Sequence, residues 1–425
     1  FSIDFTESEK KKNLLENNKV LKLLQNAKFD YKMIKQQTGI ALNNVYDTML
    51  AELVLTAGIN KSASLLALSR RYLDLDLEKE VRTTFQKLYP GQKLSEAQLE
   101  YSALDTLVLF PIFHKQWPKL KEEDLIDIAK LEFRVTSIVG DMELNGIYID
   151  RKRWKKIIEK LKKKRKQIAA EFQELVRPYY KMNQTDMFSS DGMADSLNMN
   201  SQVQLMDLFN NKIGLDLEST SVGVLKKVNH PVVKKLMEYR EYEKLVSAFG
   251  DKLLGLINPK TNRLHPDFHQ MRTATGRFAC SGPNLQQIPR NSEEAPFREC
   301  FNPEPGNKLV VSDYSSAEMR IMADLSGDEK MIKAFKNGLD MHSFVASMMF
   351  GEDYCDDFKQ KFPELRQAAK AIGFGLMYGM GPMGLAARLE IPKERAQDYM
   401  DKYFRSFPKV KKYLEEQEIP IRRAR

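Results

Sequence analysis

The run RQAAKAIGFGLMYG, Arg366 to Gly379, holds Arg366, Lys370, Phe374 and Tyr378 at strict four-residue intervals and then ends in glycines. On an α-helix, residues four apart advance by about 40° around the axis and about 6 Å along it, so these four form one slowly turning strip. Two cations come first and two aromatics after. That order suits a nucleoside triphosphate lying along the helix, with cations at the charged tail and rings against sugar and base. An ordinary amphipathic helix with basic residues at its edge gives the same R-x-x-x-K pattern. Gly379, Gly381 and Gly384 serve equally as a helix stop and a turn, so the strip alone leaves both readings open.

A second stretch narrows the choice. In KLVVSDYSSAEMRIMADLSGD the apolar LVV run predicts a buried strand ending at Asp313. An acid there is a metal-ligand candidate, because Mg²⁺ prefers carboxylate oxygens and keeps water and substrate phosphates as its other ligands. A lone Asp after a strand is otherwise an N-cap or turn residue. Combined with the strip 53 residues later (366 − 313) and the basic, polar TATGRF segment, the pattern describes phosphoryl or nucleotidyl transfer.

Composition agrees with a polyanionic partner. The 425 residues are 42% apolar and 29% charged, a globular balance with room for two to four domains. Lys and Arg number 67 against 58 Asp and Glu, and the net charge of +9 leans toward nucleic acid without proving it. Cys280, Cys300 and Cys355 are odd in number and lack a C-x-x-C spacing, which argues against a disulfide framework or a zinc site and for a reducing compartment. The longest apolar run, LVLFPIF, falls far short of the roughly 20 residues a spanning helix needs, and no signal peptide opens the chain. The expected location is cytoplasm or an organelle matrix, not secretion or a membrane. Since residue 1 is Phe, residues are expected to be missing upstream.

Along the chain, the region up to about Pro118 alternates short apolar runs such as NNVYDTMLAELVL with helical patterns and reads as α/β. A helical stretch follows from Glu122, broken where Asn145-Gly146 favours a tight turn between extended pieces, with a boundary near 119. RKRWKKIIEKLKKKRKQIAAEFQEL is a basic helix, a solvated face in the plain reading and a phosphate-tracking face in the other. Residues 181–202 read as a loop without catalytic candidates. Helices around SQVQLMDLFNN and HPVVKKLMEYREYEKLVSAF lead to a turn-rich segment carrying Arg272, Arg277, Asn284, Gln286 and Gln287.

DYSSAEMR resembles motif A of family A DNA polymerases, usually D-Y-S-Q-I-E-L-R, and RQAAKAIGFGLMYG is similar to motif B, R-x-x-x-K-x-x-x-[FY]-G-x-x-Y-G, without a mismatch. TATGRFACSGPNLQQIP resembles T-x-T-G-R-L-S-S-x-x-P-N-L-Q-N-I-P, and GLDMHSFVASMMFG resembles D-I-H-x-x-T-A-x-x-V-F-G. The likeness extends upstream to about Glu132. It implies an α+β fold: a right-hand polymerase of palm, fingers and thumb, preceded by a partial RNase H-like α/β exonuclease domain. The implied organisation is 1–118 exonuclease-like, 119–270 the start of palm and thumb, 271–330 palm with motif A, and 331–425 fingers with motif B.

The resemblance also implies roles. Asp313 would hold two catalytic Mg²⁺ ions, or Mn²⁺ in their place, with the Tyr314 carbonyl as a further ligand. Glu318 would be a steric gate against a ribose 2′-hydroxyl. Arg366, Lys370 and His342 would hold the triphosphate of a dNTP, and Lys370 could protonate the leaving pyrophosphate. Phe374 would stack on the nucleotide, and Tyr378 would line the base pocket. Primer-template DNA would meet Arg240 and Lys244 on thumb-like helices, together with Arg272, Thr275, Arg277, Asn284 and Gln286, of which Arg277, Asn284 and Gln286 would read minor-groove acceptors common to all base pairs.

NAKFD, ending in Asp30, and YSALD, with Tyr101 and Asp105, resemble the second and third motifs of the family's 3′–5′ exonuclease. The first motif, D-x-E, is not convincingly present: FSIDFTE has Thr6 where Glu is needed, and Asp4 lies only 26 residues (30 − 4) before Asp30, so it reads as a decoy. The polymerase's H-D-E motif does not follow motif B. The chain is therefore expected to be incomplete at both ends, with the second carboxylate coming from further residues or from a second polypeptide. Three readings result: a DNA-dependent DNA polymerase, a non-catalytic primer-template binding module, and an exonuclease remnant. The last has no use for a triphosphate strip.

Overall fold

The computed structural model describes residues 12, 14–57, 62–77, 80–89, 91–180 and 197–423, with side chains up to 417. Most of the segment expected as a loop, residues 181–196, therefore lies outside the described residues, as does Asp4. Two compact units form, Phe1–Leu309 and Val310–Arg425.

In the first unit, strand β1 (Lys22–Leu24) runs parallel to β2 (Val45–Asp47), with helix α1 (Ala27–Thr38) between them. Asp47 fastens this βαβ turn. Its buried carboxylate accepts from the amides of Asn26 and Ala27 at the start of α1, and from Met49 and Leu50 at the start of α2 (Thr48–Thr56). One side chain thus satisfies orphan donors of two helices. Helices α3 (Glu96–Leu107) and α4 (Leu109–Glu122) follow, and Tyr46, Leu50 and Val54 pack against Leu120, Ala129 and Phe133.

Helix α5 (Ile126–Asn145) ends at Gly146, whose φ of 61° is left-handed and where a Cβ would lie 2.5 Å from the Leu264 carbonyl oxygen. Only glycine fits there. The Asn-Gly pair thus stops a helix instead of turning one extended piece into another, because the apolar spacing before it is helical through Asn145. Strand β3 (Ile147–Tyr148) then leads into α6 (Arg151–Val176), started by Asp150, which accepts from the Arg153 amide. Trp154, Ile157, Ile158, Leu161, Ile168 and Phe172 recur at helical spacing, and α6 buries that face against α7 (Pro231–Phe249). The Trp154 indole donates to the Phe249 carbonyl at 2.8 Å. The opposite face keeps Lys152, Lys155, Lys156, Lys160, Lys163 and Lys166 exposed. Strand β4 (Arg263–Leu264) pairs with β3, and β5 (Asp267–His269) forms an antiparallel hairpin with β6 (Ala279–Ser281).

The second unit is helical: α8 (Ala317–Ser326), α9 (Glu329–Lys336), α10 (Met341–Phe350), α11 (Pro363–Met377), α12 (Lys393–Ser406) and α13 (Pro408–Arg423). Met319, Met331, Val345, Ile372, Tyr403 and Phe407 meet in its core. The strand expected before Asp313 is not formed. Residues 307–314 form no regular element, Val310 and Val311 are 86% and 84% exposed, and Lys308–Asp313 make no backbone hydrogen bond among the described residues. A strand exists only through its ladder, and no described residue of this unit supplies a partner strand. No helix among the described residues is long and apolar enough to cross a membrane.

Candidate functional site

The strip of the second unit lies on α11. Arg366, Lys370 and Phe374 are within the helix, and Tyr378 is the residue that ends it, 62% exposed, followed by left-handed Gly379. Helix α10 packs alongside and brings His342 to the Phe374 ring, with centroids 5.7 Å apart. Nδ1 of His342 is buried without a hydrogen-bond partner among the described residues. Burial, and then the charges of Arg366 and Lys370, hold this imidazole below its ordinary pKa against the opposing pull of Asp340. It therefore stands neutral at neutral pH.

The two cations differ in their commitments. Arg366 grips Asp340 with two bonds, Nε to Oδ2 at 2.6 Å and Nη2 to Oδ1 at 3.2 Å, and the Ser343 hydroxyl donates to the same carboxylate at 2.6 Å. Burial pushes the Asp340 carboxyl up, but Arg366 and Ser343 outweigh it and hold it below the usual range. Lys370 has no hydrogen-bond or ion-pair partner among the described residues. Sequence reasoning did not assign Asp340. Its signal was an acid immediately before a helix, which is an N-cap position by default.

Motif A contributes Asp313 and Glu318, both exposed. Asp313 and Tyr314 make no hydrogen bond or ion pair among the described residues, so a carboxylate and a carbonyl oxygen stand uncommitted. They fit a hard cation as two of its donors. No three His, Cys, Asp or Glu side chains converge as a metal cage among the described residues. The turn between Asp313 and α8 is held by Arg320, whose Nε donates to the Ser315 carbonyl and whose guanidinium lies 4.4 Å from the Phe335 ring centroid. Met319, next to Glu318, reaches within 3.8 Å of where a Cβ of Gly373 would stand, so α8 rests directly on α11.

In the first unit, Arg272, Thr275, Arg277 and Gln286 are exposed around the β5–β6 hairpin. Asn284 caps a short turn by accepting from the Gln286 amide at 3.1 Å. On α7, Lys244 is exposed, whereas the Arg240 guanidinium is tied to the Thr220 carbonyl and hydroxyl, which gives that residue a structural bond to break before it could meet a phosphate.

Of the exonuclease candidates, Tyr101 and Asp105 are hydrogen-bonded neighbours one helical turn apart, with Arg82 close by. Asp30 sits instead beside Asp47, a residue the sequence reading passed over. Burial, and then the Asp47 charge, raise the Asp30 carboxyl to about 6. Burial raises Asp47 likewise to about 6 against the pull of four amide donors. A folded-state pKa above the unfolded value of about 3.9 means a folding penalty that is full above pH 6 and gone below pH 4. Asp30→Asn should therefore stabilise the protein by about 1–2 kcal/mol at pH 7.5, less than a two-unit shift alone implies because the side chain keeps some contact with water. The gain should vanish by pH 4. Urea melts at the two pH values check this, and a loss of stability at pH 7.5 would show that the carboxylate has a favourable partner.

The model of DNA polymerase family A matches residues 158–424, and that of the 3′–5′ exonuclease matches residues 4–121. DNA polymerase I of Borreliella burgdorferi is 35% identical over 419 residues, covering 96% of this chain and 43% of that protein. DNA polymerase I of Rhizobium leguminosarum is 32% identical over 433 residues, covering 97% and 40%. Among solved structures, the POL domain of Pol1 from M. smegmatis, in complex with DNA primer-template and dNTP, aligns with all of this chain and 70% of that one, at TM-score 0.78 and 26% identity. The chain spans about two fifths of the length of the curated relatives it matches.

Proposed function

The chain belongs to DNA polymerase family A, and from that premise we propose that it carries the dNTP-binding and primer-template-binding parts of a template-directed DNA polymerase. The observation that carries the reading is the α11 strip: a free ammonium at Lys370, one turn from the clamped Arg366 and one turn from Phe374, with His342 packed on that ring. Its fourfold organisation would be 1–118, 119–270, 271–330 and 331–425, as the motifs imply. A cytoplasmic or organelle-matrix location suits such an enzyme.

In this reading the triphosphate tail lies along Arg366 and Lys370. Asp340 holds the Arg366 fork in place, so the fork is preorganised for a phosphate. Lys370, having no partner among the described residues, meets the developing charge on the leaving pyrophosphate and can supply its proton. Phe374 and Tyr378 give the base and sugar their apolar wall, and Glu318 crowds the 2′ position. Asp313 and the Tyr314 carbonyl would hold divalent metal, Mg²⁺ by preference, which when bound neutralises phosphate charge and favours attack by the primer 3′-oxygen. Among the described residues no group of three His, Cys, Asp or Glu side chains forms that could hold a metal, at Asp313 or elsewhere, so the site wants a second carboxylate. Because the relatives are more than twice as long, a segment or second polypeptide outside these 425 residues is the source assigned to it.

The test compares this chain with the complete natural protein. The 425 residues alone should bind primer-template DNA with an affinity that falls steeply with salt, at a logarithmic slope of roughly −0.9 per phosphate neutralised, yet extend it negligibly. The complete protein should extend it, and Asp313→Asn in that protein should abolish extension while leaving binding intact. Extension by the 425 residues at the complete protein's rate would place the second carboxylate inside this chain. A complete protein that binds DNA without extending it would favour the non-catalytic binding module.

A further inference from the structure

Helix α1 has two working faces. Asp30 lies on one, and Lys28, Tyr31, Lys32 and Lys35 share the other, within an arc of about 100°. That second face closes on α5. Lys28 Nζ donates to Glu143 Oε1 at 2.6 Å, Lys32 Nζ to Glu143 Oε2 at 2.5 Å, and Lys35 Nζ and the Tyr31 hydroxyl to Asp141 at 2.6 and 2.7 Å. The helices approach closely because residue 140 is glycine: a Cβ there would stand 2.5 Å from the Tyr31 ring. The Glu143 side chain is only 2% exposed. A carboxylate so deeply buried is tolerable only while its cations stay in place.

The clasp does not end at α5. Lys28 Nζ also donates to Asp267 Oδ1 at 2.5 Å and to the Phe268 carbonyl at 2.6 Å, while the Phe268 amide donates to Glu143 Oε1 at 2.7 Å. Two residues on, Gln270 donates to the Glu132 carbonyl and carboxylate at 2.9 and 2.7 Å. Strand β5 is thus pinned at both ends, and with β6 it brackets the loop that carries Arg272, Thr275 and Arg277. One lysine on the exonuclease-like part therefore holds the root of the loop assigned to DNA.

We propose that Lys28 and Glu143 are positioning residues for primer-template binding, through which the exonuclease-like part orients the 270–278 loop whether or not that part cleaves DNA. The inference rests on the reading of this loop as a DNA-gripping element. In the complete protein, Lys28→Met should speed amide hydrogen exchange at residues 267–281 without DNA, and weaken primer-template binding by about tenfold. The dNTP KM, and the single-turnover rate at saturating DNA, should stay unchanged, since the hairpin acts on DNA and not on the nucleotide. Lys28→Arg should restore both exchange and affinity. Lys35→Met, on the same helix but tied among the described residues to Tyr31 and Asp141 and not to the hairpin, should leave the hairpin's exchange as it was, which separates positioning from general loosening. If Lys28→Met does not fold, Lys32→Met, which removes one Glu143 contact, is read the same way. Unaltered exchange with unaltered affinity overturns the clasp alone. Faster exchange with unaltered affinity overturns the positioning role together with the assignment of Arg272 and Arg277 to DNA.

Discussion

Lys370→Ala should lower the single-turnover rate of nucleotide addition by about 10²–10³-fold while primer-template affinity changes by less than about twofold. The reasoning starts from the unequal state of the two cations on α11. The Arg366 charge is already matched by Asp340, whereas the Lys370 ammonium has no partner among the described residues, so its full charge is available to a ligand. A charge that meets negative potential growing on the leaving group acts mainly in the transition state, and its loss appears in the rate before it appears in binding. Removing it should not harm the fold, because it breaks no bond among the described residues. Arg366→Ala is a different experiment. It should raise the dNTP KM, but it also strands the Asp340 carboxylate, so it should destabilise the second unit. Tenfold weaker DNA binding by Lys370→Ala, with its single-turnover rate intact, would move this lysine from the nucleotide to the DNA.

The strip was legible because helix geometry converts a four-residue interval into proximity without help from the rest of the fold. Phe374 and Lys370 share a face for any helix of this length. The same holds for α6, where Trp154 through Phe172 announce their buried face, and for Gly146, although its role proved to be a helix stop. Pairings across the chain were hidden. Asp340 could be read as a helix cap, and nothing local says that Arg366, 26 residues on, will take it. Asp47 looks like the cap of α2, which it is, but its second role at α1 depends on β1 and β2 lying parallel. Glu143 and Lys28 are 115 residues apart, and neither stands in a pattern that marks burial. The LVV run before Asp313 shows the converse: composition can mark a strand, but a ladder needs a partner, and Val310 and Val311 have none among the described residues.

Glu318→Ala in the complete protein should raise the use of ribonucleotides relative to deoxynucleotides by about 30- to 1,000-fold in the ratio of kcat/KM values, equivalent to roughly 2–4 kcal/mol of relieved crowding. Glu318 stands in the first turn of α8, exposed and without a partner among the described residues, so its carboxylate is not spent on holding the fold. What fixes its place is the neighbour: Met319 is buried in the core of the second unit and rests against α11 at Gly373, the position just before Phe374. The helix that carries the proposed gate is therefore registered on the helix that carries the proposed nucleotide strip. An acid in the first turn also interacts favourably with the helix dipole, by about 0.3–1 kcal/mol, so Glu318→Ala should cost that much stability and no more. Glu318→Gln separates size from charge. A steric gate keeps its discrimination when the side chain keeps its length, so the glutamine variant should resemble the parent and only the alanine variant should admit ribonucleotides. If glutamine opens the site as widely as alanine, the carboxylate acts by charge on the sugar hydroxyls. If neither change moves the ratio, Glu318 is not the residue that selects the sugar.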